Sequence, residues 1–180
     1  MAVPELRSER LLLRPWTGSD GDAEACYAVL SHDEVWPWLG SDPKPCPDVE
    51  AARRTCVRWA EVEGGAHGLW AIETPGIEGI APQPCGTALV VPLPRSDGAP
   101  SSTLEIGWHL HPDAWGHGIA TEAAQRLVEH ARANGVTQLH AVVYDGNDRS
   151  LAVCDRLGMT RLGPTTEWYG TTFVDHVLDL

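Results

Sequence analysis

The sequence LEIGWHLHPDAWGHGIATEAA, residues 104–124, decides the fold of this chain. Apolar and other residues alternate over Leu104–Leu110, and this period of two is typical of a β-strand. A proline ends the alternation, and Gly116 and Gly118 then let the backbone turn tightly before a run of helix formers that begins at Ile119. Because the first N–H groups of a helix have no partner within it, this turn predicts an anion site, most simply for a phosphate.

Composition excludes several classes of protein. A chain of 180 residues with 43% hydrophobic and 21% charged residues is typical of one globular domain, and its apolar runs are too short to span a membrane. The N-terminus shows no secretory signal, so we expect a cytoplasmic protein without a membrane partner. A net charge of −12 repels nucleic acid phosphates and predicts no nucleic-acid partner. Five scattered cysteines favour neither a disulfide framework nor a structural zinc site.

The residues before the central strand predict two helices and three strands. Asp20 or Asp22 is the candidate cap of the first helix, and Asp48 that of the second. The predicted elements are a strand over 10–16, a helix over 23–30, a helix over 49–63, and strands over 67–73 and 87–91.

The residues after the glycine turn predict a crossover from the central strand into a second, parallel strand. The predicted elements are a helix over 119–133, a buried strand over 139–144, a short helix over 151–157, and strands over 159–165 and 171–178. The fold class is therefore α/β, with a mixed, mostly antiparallel twisted sheet of six to seven strands flanked by about four helices.

Two motifs, WGHGIATEA at 115–123 and NDRSLAVCDRLGM at 147–159, resemble those of the GNAT family of acyl-CoA-dependent N-acetyltransferases. The branch that the chain resembles includes the ribosomal-protein N-terminal alanine and serine acetyltransferases. The opening ERLLLRPW and the ending DHVLDL are similar as well, so the resemblance covers nearly the whole chain. It implies that residues 1–180 form a single acyl-CoA N-acyltransferase domain.

The resemblance implies acetyl-CoA as the cosubstrate and assigns the residues that bind it. The glycine turn is expected to wrap the pyrophosphate, and Asn147 and Ser150 to flank the pantetheine arm. Backbone amides around His109 and Leu110 are expected to bind the thioester carbonyl oxygen. The pyrophosphate positions are Trp115, Gly116, His117, Gly118, Ile119 and Ala120.

Glu105 is the candidate general base. It lies mid-strand in a sheet expected to be covered on both faces, where desolvation raises a carboxyl pKa, and the family's E-I-G pattern supports the assignment. It could act directly or by positioning a water, or it could be a carboxylate satisfied by arginine or backbone partners. His109 and His111 are alternative bases that share its face if the strand is regular, whereas a bulge at Gly107 would reverse that assignment.

Departure of the CoA thiolate needs a hydrogen-bond donor. Many family members use a tyrosine at the position that Cys154 occupies here, and a thiol is too short for that role, so Ser150 or an ordered water is the predicted donor. The expected mechanism is direct attack in a ternary complex without a cysteine acyl-enzyme. The histidines of this region lack carboxylate or cysteine companions at ligand spacing, so no metal is predicted.

The acceptor is expected to be a primary amine, on a protein N-terminus or a small molecule. Trp36 and Trp38, in the proline- and tryptophan-rich segment 35–47, are candidate substrate contacts, together with Trp168 beside Tyr169 in the last turn. All of these could equally serve packing. The chain is expected to be a monomer or a homodimer.

Two other functions fit the same motifs. One is a non-catalytic acyl-CoA-binding sensor module. The other is an acyltransferase that uses another acyl-CoA such as succinyl-CoA, for which Arg149 and Arg156 are the nearest candidate cations.

Overall fold

An eight-stranded sheet runs through residues 3–62 and 64–180, the part of the chain that the computed structural model describes. The strand order is β1-β2-β3-β4-β5-β6-β8-β7, and every neighbouring pair is antiparallel except β5 and β6. Four α-helices accompany the sheet within these ranges. The predicted mixed, mostly antiparallel α/β fold is confirmed, with more strands than the six to seven expected.

The elements follow one another along the chain with short connections. They are β1 Leu6–Arg7, β2 Leu12–Pro15, α1 Asp20–Leu30, α2 Val49–Ala60, β3 Gly68–Glu73, β4 Gly86–Pro92, β5 Leu104–Leu110, α3 Ile119–Ala133, β6 Gln138–Val143, α4 Asp148–Arg156, β7 Thr160–Thr165 and β8 Phe173–Asp179.

Several predicted boundaries shift in the structure. Helix α1 begins three residues earlier than expected because Ser19 caps it, its hydroxyl accepting from the Asp22 N–H at 3.2 Å. The predicted caps Asp20 and Asp22 instead occupy the first turn of that helix. Helix α2 has the expected cap, Asp48, but ends at Ala60, and position 63 lies outside the described residues. The segment 35–47, predicted to be irregular, contains a short 3₁₀ turn over Trp36–Trp38.

The two faces of the sheet carry different helices. Pairing places Ala71, Thr87 and His109 side by side on one face across β3, β4 and β5, and Glu105 shares this face because side chains alternate along a strand. Helices α1 and α2 pack on this face in a small cluster of Trp16, Cys26, Ala52, Cys56 and Ala71. Helices α3 and α4 pack on the other face, where the larger core includes Ala88, Ile106, Ala124, Leu127, Leu139 and Cys154.

A buried ion pair fastens α1 to the sheet. The guanidinium of Arg14 on β2 donates to both oxygens of Asp22 at 2.7 and 3.0 Å, and to Glu73 on β3 at 2.7 Å. Asp22 is only 4% exposed and also accepts from the backbone and hydroxyl of Thr17. Although burial opposes ionisation, these hydrogen bonds hold the pKa of Asp22 below its ordinary value.

We expect Asp22→Asn to lower the melting temperature at pH 7 by roughly 6–12 °C, because it leaves part of the buried Arg14 charge uncompensated, at a cost of about 3 kcal/mol. Since the folded-state pKa of Asp22 is depressed, its stabilisation is present above the pKa of the unfolded carboxyl and is lost as pH falls through the folded-state value. The difference from wild type should therefore shrink in acid, as thermal unfolding at several pH values would show.

Asp20→Asn is the matched control for this prediction. Its side chain lies in the same first turn but is 90% exposed. Its melting temperature should stay close to that of wild type. Equal loss from both variants would contradict the assignment of the Arg14–Asp22 pair as the fastening contact.

Candidate active site

The central feature of the site is a gap between the two parallel strands. Strands β5 and β6 pair through one register position, Glu105 with His140, and diverge beyond it. A cleft of about 1850 Å³ opens there. It is lined from one face by residues such as Ala120 and Asn147 and from the other by residues such as Trp59. Two molecules could therefore enter from opposite faces and meet near Glu105.

Backbone polar groups of β5 point into this gap. The N–H groups of Thr103 and His111 flank the strand at positions paired with β4, since His111 N–H donates to Cys85 at 2.8 Å and Thr103 accepts from Leu93 at 2.8 Å. Because hydrogen-bonding direction alternates along a strand, the N–H groups of Trp108 and Leu110 face the β6 side, while that of His109 faces β4. Of the two amides expected to bind the carbonyl oxygen, the structure thus places the Leu110 amide in the gap.

The glycine turn lies at the mouth of the gap, where α3 begins. Gly116 and Gly118 have φ of +79° and +76°, a backbone conformation that residues with a Cβ rarely adopt. Gly118 is the N-cap of the 15-residue helix α3, so the first N–H groups of the helix point out of the turn. A negatively charged ligand is favoured at this position.

Arg10 fastens the glycine turn to the N-terminal part of the chain. Its guanidinium donates to the carbonyl of His117 at 3.1 Å and pairs with Glu122 of α3 at 2.7 Å. Glu122 therefore holds an arginine at the turn, and the acidic residue in the first turn of α3 is neutralised. The same carboxylate accepts from the Ser8 hydroxyl at 2.7 Å.

A second cation lies beside the turn. The guanidinium carbon of Arg149 sits 4.0 Å from the centre of the Trp115 ring, and the Trp115 Nε1–H donates to the carbonyl of Leu110 at 3.2 Å. The stack places Arg149 at the turn that would bind a phosphate. Of the turn residues predicted from the motif, five line the cleft: Trp115, Gly116, Gly118, Ile119 and Ala120; His117 is outside the lining.

The second motif contributes one wall of the cleft. Asn147 caps α4 by accepting from the Ser150 N–H at 3.3 Å, and both residues line the cleft. Cys154, at the position where the family often has tyrosine, packs in the core with no exposed surface, and burial raises its pKa to about 12. The thiol is therefore held as a neutral core group.

Glu105 lies at the vertex where β5 and β6 separate, and it lines the cleft. Burial raises the pKa of its carboxyl to about 7, a hydrogen bond from Tyr169 opposes this shift, and the charge of Asp175 adds to it. The Tyr169 hydroxyl donates to Glu105 Oε2 at 2.5 Å. A carboxylate with a pKa near 7 can accept a proton at neutral pH and release it again.

The histidines of β5 have different surroundings. The pairing of β5 with β4 is regular through Gly107, so no bulge occurs there and His109 shares the face of Glu105. Burial lowers the pKa of His109 to about 4, so its ring is neutral at neutral pH, and it packs at 5.9 Å from Trp59. His111 follows the strand, contacts His32 and caps the 3₁₀ turn after it. His109 lines the cleft and His111 is outside the lining.

The tryptophans predicted to contact substrate occupy three different environments. Trp38 lines the cleft and is 39% exposed, whereas Trp36 is outside the lining and donates to Asp33 at 3.3 Å. Trp168 is buried and donates to Asp175 at 3.1 Å, so it packs within the protein. Its neighbour Tyr169 is the residue of that turn that reaches the cleft.

Neither a metal centre nor a membrane span is found in the described part of the chain. No group of three or more His, Cys, Asp or Glu side chains there could hold a metal ion. None of the helices in residues 3–62 and 64–180 combines the length and apolar character needed to cross a bilayer.

Three contacts of the site were missed by sequence reasoning. They are the bond of Tyr169 to Glu105, the bond of Arg10 to the glycine turn, and the stack of Arg149 on Trp115. The first two join residues 64 and 107 positions apart, and no local pattern reports such distances. The left-handed backbone needed by the Tyr-Gly turn was the available signal for the first.

Comparisons with known proteins agree with this geometry. Residues 10–160 match the family described as the acetyltransferase (GNAT) domain. The chain is 28% identical over 162 residues to the uncharacterized N-acetyltransferase YoaA of Bacillus subtilis (strain 168), covering 89% of this chain and 85% of that protein.

Solved structures share the fold. A ribosomal-protein-S5-alanine acetyltransferase from Vibrio fischeri superposes with a TM-score of 0.72 at 16% identity, covering 98% of this chain and 96% of that one. Mycobacterium smegmatis RimJ, in complex with CoA-disulfide, superposes with a TM-score of 0.71 at 20% identity, covering 99% and 87%. These likenesses, at low identity, extend over nearly the full length of the chain.

Proposed function

Because the chain belongs to the acetyltransferase (GNAT) domain family, we propose that it transfers the acetyl group of acetyl-CoA to a primary amine. The family match confirms the resemblance found in the sequence. One observation carries the proposal: Glu105, with its pKa raised to about 7, lies at the vertex of the gap between β5 and β6. A base is thereby held at the closed end of a cleft whose open end is an anion site.

The residues present fit acetyl-CoA. The pyrophosphate would bind the amides of the glycine turn, with Arg149 close by, and the pantetheine arm would run down the gap beside Asn147. The N–H groups of Trp108 and Leu110 are available to the arm and the thioester. From Leu110 to Glu105, β5 spans roughly 17 Å, so the arm would carry the thioester toward Glu105.

The reaction follows from these positions. The amine nitrogen attacks the thioester carbonyl carbon, a C–N bond forms, and the C–S bond breaks. The amine proton passes to Glu105, directly or through a water that Glu105 positions. Backbone N–H groups in the gap stabilise the developing oxyanion. Attack occurs in a ternary complex, and no cysteine is acylated on the way.

The CoA thiolate takes its proton from the Ser150 hydroxyl or from an ordered water. Ser150 lines the cleft, and its N–H, not its hydroxyl, is used in capping α4. Cys154 is buried in the core, and the Tyr169 hydroxyl is committed to Glu105, which favours Ser150 over both.

The acceptor amine enters from the side of α1 and α2, past Trp38 and Trp59. Protein N-termini and small amines are both candidates, and the first is favoured by the printed names of structural neighbours such as the S5-alanine acetyltransferase. The protein is proposed to work in the cytoplasm as a monomer or homodimer, without nucleic acid or membrane.

The proposed activity is tested by following CoA release from acetyl-CoA with peptides that begin with alanine or serine, free amino acids and small amines as acceptors. Turnover with any of these supports the proposal. Saturable acetyl-CoA binding without turnover would favour the sensor module instead. Faster turnover with succinyl-CoA would favour another acyl donor, although the one cation of that prediction with a resolved stack, Arg149, lies at the glycine turn.

We expect acetyl-CoA at about 100 times its dissociation constant to add roughly 2.7 kcal/mol to stability, visible as a rise of several degrees in the melting temperature. Gly118→Ala should weaken acetyl-CoA binding roughly tenfold, or about 1.4 kcal/mol, because the strained turn loses its amide geometry. Calorimetric titration measures the difference.

Gly135→Ala is the control for this variant. Gly135 follows the other end of α3 with φ of +79°, and a Cβ there meets no atom within 4 Å. Both variants should lose similar stability, since both force a left-handed alanine. A similar loss of acetyl-CoA affinity in both would refute the role of the glycine turn.

Glu105→Gln should lower kcat/KM by roughly 10²–10⁴ at pH 8, because the amide cannot accept the amine proton. In the wild-type enzyme kcat/KM should rise with pH through about 7, as Glu105 ionises, and this limb should be absent from the variant. Glu24→Gln, an exposed change on α1, should keep the wild-type profile. Full activity of Glu105→Gln at every pH would exclude Glu105 as base or water-positioner.

A further inference from the structure

We infer that Tyr169 is a positioning residue for Glu105: its hydroxyl holds Oε2 of the carboxylate and thereby turns Oε1 toward the acceptor amine. This inference rests on the proposed transfer reaction. It explains why a turn between β7 and β8, distant in sequence from both motifs, reaches the closed end of the cleft.

The contact is short and directional. The Tyr169 hydroxyl donates to Glu105 Oε2 at 2.5 Å, within the range of hydrogen bonds from a hydroxyl to an ionised carboxylate. Oε1 receives no hydrogen bond from the described residues and is not among their fully buried polar atoms. The two oxygens are thus distinguished, one held by the protein and the other open to the cleft.

The backbone of Tyr169 is held in an unusual conformation. Its φ is +56°, the left-handed region that favours glycine or asparagine, and it is the non-glycine residue with positive φ in the described chain. A turn of this kind would be relaxed by a smaller residue. A bulky residue in this conformation indicates that the position of the ring is worth the backbone strain.

The connection between β4 and β5 fixes this turn. Tyr169 N–H donates to the carbonyl of Pro94 at 3.0 Å, and Gly170 N–H donates to the Ser96 hydroxyl at 2.9 Å. The Ser96 N–H donates to Glu167 at 2.7 Å. The turn is therefore docked on the loop that leads into β5, the strand that carries Glu105, and the phenol and the carboxylate are held on one rigid unit.

The ring itself is packed. Phe173 of β8 meets the Tyr169 ring edge-on, with ring centres 5.9 Å apart, and stacks on its other side against Tyr144 at 4.6 Å. Removing the hydroxyl alone would leave this aromatic packing intact.

The charges around Glu105 come from several elements. Asp175 of β8 is the nearest acid, and it accepts from His140 of β6 at 3.0 Å and from Trp168 at 3.1 Å. His109 is on the same strand and face as Glu105. On the side of α1 and α2, the charged residues that line the cleft are Glu34, Lys44 and Arg58.

The decisive variant is Tyr169→Phe, which keeps the ring and removes the donor. Because the lost hydrogen bond favours the ionised carboxylate, the titration midpoint of Glu105 should rise by about one pH unit. Carbon-13 NMR of ligand-free protein labelled at glutamate δ-carboxyls measures this midpoint, and loss of the signal in Glu105→Gln identifies it. This readout needs no turnover, so it separates the inference from the proposed function.

The kinetic expectation is equally specific. The acid limb of kcat/KM should move to higher pH by the same amount. Above both midpoints kcat should still be lower by roughly ten- to a hundredfold, because the carboxylate is no longer aimed, while KM for acetyl-CoA stays unchanged.

Tyr144→Phe is the matched control. Its hydroxyl donates to Gly40 at 2.8 Å, and its ring packs on the same Phe173. It should leave the midpoint of Glu105 and the position of the acid limb unchanged. An equal shift in both variants would show that ring packing, not the hydroxyl, sets the behaviour of Glu105.

Ser96→Ala gives a second route if Tyr169→Phe does not fold. It removes the oxygen that accepts from Gly170 N–H and leaves the phenol in place, so the midpoint should rise by a smaller amount in the same direction. An unchanged midpoint in the folded variant, or activity lost equally at all pH values together with a raised KM for acetyl-CoA, would overturn the inference.

Discussion

The divergence of β5 from β6 is the constraint on which the rest of this structure depends. Two parallel strands joined by a crossover helix would ordinarily pair along their length, but here they pair at Glu105 and His140 and then separate. The separation removes a ladder of backbone hydrogen bonds and leaves amides of β5 directed into a cleft. An extended, amide-bearing ligand can restore such bonds, and a pantetheine arm is a ligand of that kind.

The two faces of the sheet divide the proposed work between them. Helices α3 and α4 provide the glycine turn, Asn147 and the Arg149–Trp115 stack, which suit an anionic ligand. The opposite face, under α1 and α2, presents Glu105 and His109 to the second entrance. Buried groups on that face stay compatible with a dry environment because Asp22 is paired with Arg14 and His109 stays neutral. The gap between the strands is where the two faces communicate.

Sequence reasoning reached most of the fold because its signals are local. Helix α3 begins and ends at the predicted residues, 119 and 133, since glycine precedes it and Asn134 follows the last helix former. The strand β5 agrees with its alternation as well. The missed strand β1 has two residues, too few to show a period, and the Ser19 cap was missed because three polar residues compete there. Helix α2 stops early because Glu61 forms its C-cap.

The sequence by itself determined the order of the elements, the glycine turn at an anion site and the carboxylate within the central strand, because each depends on residues adjacent in the chain. Only the tertiary structure decided which groups surround that carboxylate. Tyr169 meets Glu105 across 64 positions, Arg10 meets the turn across 107, and Trp168 turns into the protein while its neighbour faces the cleft. Such contacts follow from how the strands pair and the loops dock, and packing over long sequence separations leaves no periodic trace in the chain.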